Sequence, residues 1–294
     1  MDIATILLFV LKASIMLTVL AIGLEASPRD ALYLFRKPSL LARSVLSMHV
    51  VMPLVAAGFV TVVDLPHAMK AALVALAISP VPPILPKKEL KAGGDAAYAV
   101  GLLVALAALA IVTVPLLAAA FIAAFGQTGS IGPLAVAKIV LASILVPLTA
   151  GIALRHWAPL LAKRIARPVA VIGNVLLLAT ALPLAAASWP GLRALVGDGS
   201  VLVAAAMAII GLFVGHVLGG PDPGRRTVLA LSTTSRHPAV ALSTAVGVGE
   251  DAKAALAAIL LYLLVSLLVS IPYVAWSRRR SNAATASDLS TPRS

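Results

Sequence analysis

Cysteine is absent from this 294-residue chain, which removes disulfide frameworks, thiol nucleophiles and thiolate metal sites together. Charge is scarce as well. Asp, Glu, Lys and Arg supply 12% of the residues, where a soluble domain carries about a quarter. The scarcer sign is negative, with 11 acids against 23 Lys and Arg. Neither an HExxH nor a GxSxG pattern occurs, and no pair of Asp residues lies inside an apolar run, so an intramembrane hydrolase has little support. What the chain has instead is apolar surface: 61% hydrophobic residues and a mean hydropathy of +1.05. That composition describes a membrane protein, with no stretch left over for a sizeable soluble domain.

Long apolar runs predict nine spans, near residues 4–25, 41–62, 66–86, 96–125, 133–154, 168–188, 200–219, 227–249 and 252–277. About 20 apolar residues cross a hydrocarbon core of roughly 30 Å as a helix. The first run is no secretory signal, because it has no basic start, carries Lys12 internally and lacks a small-residue cleavage site. With nine spans the loops alternate sides, and the bases divide 17 to 3 between them, with Lys12, Lys138 and Arg236 inside spans. The rich side holds clusters such as Arg36-Lys37, Lys87-Lys88, Lys163-Arg164 and Arg278-Arg279-Arg280, while the poor side holds only Lys70, Arg193 and Lys253. The net charge of +12 thus reads as membrane orientation rather than nucleic-acid binding, with the N-terminus outside and the C-terminus cytoplasmic. Trp157, Trp189 and Trp276 sit at span ends, the depth an amphipathic ring prefers. Residues 278–294 are expected to form a disordered cytoplasmic tail.

Proline is unevenly placed. Pro80, Pro82, Pro83 and Pro86 crowd the third span, and Pro238 follows Arg236 and His237 in the eighth. Isolated prolines such as Pro53, Pro115, Pro147, Pro183 and Pro272 are ordinary kinks; four within seven residues interrupt the helix. Dividing the domain (1–277) into repeat one (about 4–125), a connector span (133–154) and repeat two (about 168–277) puts each broken span third in its repeat. The two repeats then enter the membrane from opposite sides. Paired, interrupted segments in inverted halves point to a secondary transporter whose site lies where the helices unwind. A mid-span cation such as Arg236 is costly unless it faces a polar cavity or a partner. For His49, His216, Asn174 and Lys138 a helix–helix hydrogen bond or snorkelling is expected; Lys12 stays open, and Glu89 and Lys91 are read equally well as cytoplasmic loop.

The residues Gly23-Leu24-Glu25, Pro28, Asp30, Leu34-Phe35-Arg36-Lys37-Pro38 and Met52-Pro53-Leu54 resemble the opening of the bile acid:sodium symporter family. Leu90-Lys91-Ala92-Gly93-Gly94-Asp95 and Arg226-Thr227-Val228-Leu229-Ala230 are similar to the family's stretches after its first crossover and entering its second. The resemblance, to a divergent bacterial member, implies inverted repeats forming a panel and a core, two crossing broken helices, and a place in the inner membrane. It also implies that the family's first span is missing here. Departures fall on the sodium ligands. Pro80-Val81-Pro82 stands for the family's Pro-Gly-Gly, Leu85-Pro86 for its Ser-Asn, and Met48 for a Gln. Ser232, Thr234, Arg236 and His237 match the Glu, Gly, Gln and Asn of the second crossover. Sodium coupling therefore does not carry over with the family.

The expectation is an all-α polytopic transporter of a small organic anion, working in the bilayer by alternating access, without sodium, and with neither cofactor, metal nor nucleic acid. Arg236 would anchor the anion, since a guanidinium offers carboxylate a two-pronged fork. His237 would be its proton-sensitive neighbour, Ser232, Thr233, Thr234 and Ser235 a hydroxyl wall, Lys87 and Lys88 added positive charge, and Pro80, Pro82, Pro83, Pro86 and Pro238 the unwound backbone. Proton coupling and uniport stay open, as do sodium coupling and a non-transporting sensor of the same fold.

Overall fold

The computed structural model describes residues 3–125 and 132–290. Over these residues the chain is helical, with no strand. Its principal helices are α1 (Ile3–Glu25), α2 (Pro38–Val62), α3 (His67–Ile78), α4 (Leu85–Lys91), α5 (Ala96–Phe125), α6 (Pro133–Trp157), α7 (Pro159–Ala187), α8 (Ser200–Leu218), α9 (Pro223–Thr234), α10 (Pro238–Gly247) and α11 (Ala252–Ser290). Among the described residues five helices, α2, α5, α6, α8 and the part of α11 up to Asn282, are long and apolar enough to cross a membrane. α1 and α7 have the length, 23 and 29 residues. The third and eighth apolar runs do not form single helices: they divide into α3 and α4, of 12 and 7 residues, and α9 and α10, of 12 and 10.

Proline explains both divisions. It has no N–H to donate, and it drives the residue before it out of the helical region. Ser79 ends α3 in extended geometry (ψ 150°) before Pro80, and the chain resumes as helix only at Leu85, with Pro86 in the first turn. Likewise Ser235 leaves α9 extended (ψ 139°), and His237, just before Pro238, caps α10 with its ring Nδ1 on the Val240 N–H.

Two further prolines widen helices without breaking them. Pro53 and Pro147 are each preceded by a π-helical turn, Leu46–Val51 in α2 and Leu141–Leu145 in α6. A missing proline N–H leaves a carbonyl unpaired one turn back, and the i→i−5 register absorbs it. Met52 N–H accordingly donates to Ser47 O, and Val146 N–H to Leu141 O.

Packing separates the helices into two groups. α1 lies against α6 and α7, while α8 lies against α9 and α11, with α3 and α10 alongside. Small residues permit the closest crossings, as expected where lipid offers no hydrophobic drive and close backbone contact must do the work. Gly211 and Gly215 of α8 and Gly219, which caps it, recur every fourth residue, and a Cβ on Gly219 would come within 2.5 Å of Arg226 Cα in α9. Gly23 of α1 and Gly151 of α6 meet in the same way. Large side chains such as Leu54, Val112, Leu116 and Phe213 stay exposed. Apolar surface that faces outward along spanning helices belongs to the lipid side. The buried interior is mostly apolar as well, but among the described residues it also takes in Ser and Thr hydroxyls, His49 and His237, and the charged side chains of Glu89 and Arg236.

Helix α11 does not stop at residue 277. It continues to Ser290, through residues expected as a disordered tail, and no Pro or Gly interrupts 278–290. Residues 291–294 of that expected tail lie outside the described residues.

Candidate functional site

The two breaks meet. His237 N–H donates to Pro80 O at 2.9 Å, joining the unwound backbone of one broken helix to that of the other. Beside this link Arg236 is fully buried. Its Nη1 donates to Ser79 O (3.2 Å), the carbonyl at the C-terminal end of α3, and at 3.5 Å to Met48 O in the π-turn of α2. Carbonyls left free at a helix end favour a cation. The remaining guanidinium donors, Nε and Nη2, make no hydrogen bond among the described residues, and no acid there pairs with Arg236. Tyr262 of α11 stands within electrostatic reach, its hydroxyl donating to Thr234 O (2.8 Å).

The π-turns supply the partners of the neighbouring side chains. Ser47 Oγ shares a 2.7 Å hydrogen bond with Thr233 Oγ1, and Ser143 Oγ a 3.2 Å one with His237 Nε2. Both serines lie within the π-turns, so the widened stretches of α2 and α6 are the parts of those helices that hydrogen-bond to the crossover. Thr234 Oγ1 donates to Ala208 O of α8 and to Ala230 O, and Ser235 is half-buried. Ser232 Oγ donates to Glu89 Oε1 at 2.5 Å, tying α9 to α4.

Of the residues expected at the site, Arg236, His237 and Ser232 to Ser235 thus gather at the crossing, together with Pro80 and Pro238. Pro82 and Pro83 lie in the unwound segment, and Pro86 in the first turn of α4. Lys87 and Lys88 lie on α4, Lys87 towards Glu25 of α1 and Lys88 towards Glu89. His49 departs from its expectation. Buried in the π-turn near Arg236, it makes no helix–helix hydrogen bond among the described residues through either ring nitrogen. His216 does make one, to Tyr273 Oη at 2.8 Å. Sequence reasoning passed over Ser47, Ser143, Tyr262 and the Met48 carbonyl; the only local signal was a Ser four to six residues before Pro53 and Pro147.

A cavity of about 120 Å³ opens between α3, α5 and α10. It runs from His67 and Lys70 down to Ile78 and Thr244, so its deep end adjoins the Ser79 break, and Phe121 and Phe125 make much of its wall apolar.

Comparison with protein-family models matches residues 5–188 to the sodium bile acid symporter family. The chain belongs to that family. It is a multi-pass membrane transporter of the bile acid symporter type. The matched region takes in nearly all of α1 and the whole of α2 to α7, including the first broken helix; the second lies beyond it. No curated protein matches the chain.

Proposed function

We propose that the chain is a secondary transporter that carries a small organic anion across a bacterial inner membrane by alternating access, without requiring sodium. The observation that carries this reading is the buried guanidinium of Arg236, which spends Nη1 on backbone carbonyls and keeps Nε and Nη2 free of protein partners among the described residues. Those two donors form one edge of the fork, the geometry that takes a carboxylate bidentately. A buried charge with unspent donors is costly, and an anion relieves the cost. Ser235 and His237 flank it, while Lys87 and Lys88 add long-range positive charge from α4.

In this reading the chain has nine spans, with the two broken helices as the third of each inverted repeat, and an outside N-terminus; the charge distribution and the two proline-broken segments support it. Sodium independence is supported by the same arginine. Its charge sits at the free carbonyls of α3 permanently, where a bound cation would be repelled. Comparing the solutes accumulated by cells with and without the protein identifies the anion, and uptake by purified protein in vesicles with choline in place of sodium tests the coupling. Strict sodium dependence overturns the ion argument, and absence of saturable uptake of any solute overturns transport.

A further inference from the structure

Glu89 is the one acid that the anion site leaves unused within the crossing. It sits on α4 with 1% of its surface exposed. Oε1 accepts the Ser232 hydroxyl at 2.5 Å, and Oε2 has no hydrogen-bond partner among the described residues. The charged and titratable groups around it leave it unpaired. On its own helix Lys88 is the nearest cation, yet no ion pair joins them, and Lys87 Nζ is itself buried without a hydrogen-bond partner among the described residues. From α5, Tyr98 lies in electrostatic range, its phenol engaged by Ser44 at 2.8 Å, and Asp95 at the start of that helix lies 3.8 Å from Arg225 Nε. From α9 come Ser232, then Arg225 at the far end and Arg226, whose Nε donates to Gly220 O. α11 reaches this corner through Ser277, which donates to Ala92 O.

A bare carboxylate accepts about four hydrogen bonds. One neutral donor is poor compensation for burying its charge, whereas a proton on Oε2 removes the charge and leaves a hydrogen-bonded acid. Ser232 lies in the last turn of α9, four residues before Arg236 and on the helical side of the break at Ser235. The Glu89–Ser232 hydrogen bond thus bridges the second arm of the first broken helix and the first arm of the second, whose break carries Arg236.

We propose that Glu89, held by Ser232, is the proton-binding site of the crossover. This rests on the anion-transport reading, and charge balance gives it a purpose. Only arrangements without net charge cross a low-dielectric barrier cheaply. Taking Arg236 and Glu89 as the two groups that stay inside the crossover, two such arrangements exist: Arg236 with a bound anion and a protonated Glu89, or Arg236 with an ionised Glu89 and no anion. One proton therefore accompanies one anion. Sodium is the rival occupant, but it needs several oxygen ligands, and beside Glu89 Oε1 the only side-chain oxygen hydrogen-bonded there among the described residues is Ser232 Oγ.

The test needs no knowledge of the anion. Purified full-length protein in solute-free vesicles on a capacitive electrode is stepped from about pH 9 to about pH 6, a range that spans titration of a buried carboxyl. Proton entry displaces charge in the wild type and in Glu89→Asp, and the signal is lost in Glu89→Gln. No displacement in the wild type, an undiminished signal in Glu89→Gln, or a signal evoked by sodium at constant pH overturns the proposal. Infrared spectra supply a check that does not depend on that variant. At about pH 6, after proton uptake, the wild type shows a protonated-carboxyl carbonyl band that shifts in Ser232→Ala, which lacks the donor; a band that is missing or unmoved is the contrary result. Failure of the transport reading shows separately, as absence of solute uptake with the proton signal intact.

Discussion

Replacing Arg236 by Met separates an anion anchor from a structural latch, because the two roles predict opposite pairs of results. Met nearly fills the space of the arginine stem and removes its charge. On the stability side the variant loses two hydrogen bonds from a charged donor, at 3.2 and 3.5 Å, and bonds of that kind contribute about 1.5–3 kcal/mol each at good geometry. These are long, so the loss is roughly 2–3 kcal/mol in total. Against it stands relief of several kcal/mol for no longer burying a guanidinium that lacks an acid partner. The two nearly cancel, and the melting temperature of the solubilised variant should stay close to that of the wild type. On the transport side, removing one partner of a buried, hydrogen-bonded charge pair costs about 2–5 kcal/mol, equivalent to a fall of roughly 30- to 5,000-fold in affinity. Arg236→Lys keeps the charge and loses the fork, so its loss should be smaller, on the order of tenfold. The assay is uptake into vesicles of the solute that distinguishes expressing from non-expressing cells, beside thermal unfolding of each variant. Wild-type uptake in Arg236→Met, or a collapse of stability with the site otherwise competent, refutes the anchor.

Three other expectations are open to direct measurement. A phosphatase fused after Arg280 should be inactive in the periplasm, and activity there would break the nine-span count. Gly215→Val places a branched side chain against the Leu229 carbonyl and the Ala230 backbone of α9, so thermal unfolding should show destabilisation of about 3 kcal/mol or more; Gly58→Ala on α2, with nothing within 4 Å of the added Cβ, should be neutral or stabilising by about 0.5–1 kcal/mol. Thr233→Val leaves the buried Ser47 hydroxyl without its 2.7 Å partner across the α2–α9 contact, at a cost of about 1–3 kcal/mol in unfolding, while Thr61→Val, on an exposed hydroxyl bonded only within its own helix, should change little.

Features that depend on neighbours in the chain were legible from the amino acids alone. Hydropathy over about 20 residues identifies a membrane protein. Proline interrupts helices by its own covalent structure, so the breaks at Pro80–Pro86 and at Pro238 could be read directly, and Arg236 stood out because an isolated cation in an apolar run is expensive wherever it points. At the end of the chain, Ser, Thr and Ala content without an apolar pattern suggested a disordered tail over 278–294, and α11 runs as helix as far as Ser290, as a segment without Pro or Gly allows. Tertiary structure decided the rest. Pro53 and Pro147 read as plain kinks, and only the helices themselves show a π-turn before each, from which Ser47 and Ser143 bond to the crossover. Glu89 and Ser232 are 143 positions apart, and no local pattern ties an acid in one basic segment to a hydroxyl in a distant span. The Ser79 and Met48 oxygens that hold Arg236 belong to the backbone, which is chemically alike at every residue. A carbonyl becomes a ligand only when its helix ends or widens beside a buried charge, and the three-dimensional packing of the chain determines where that happens.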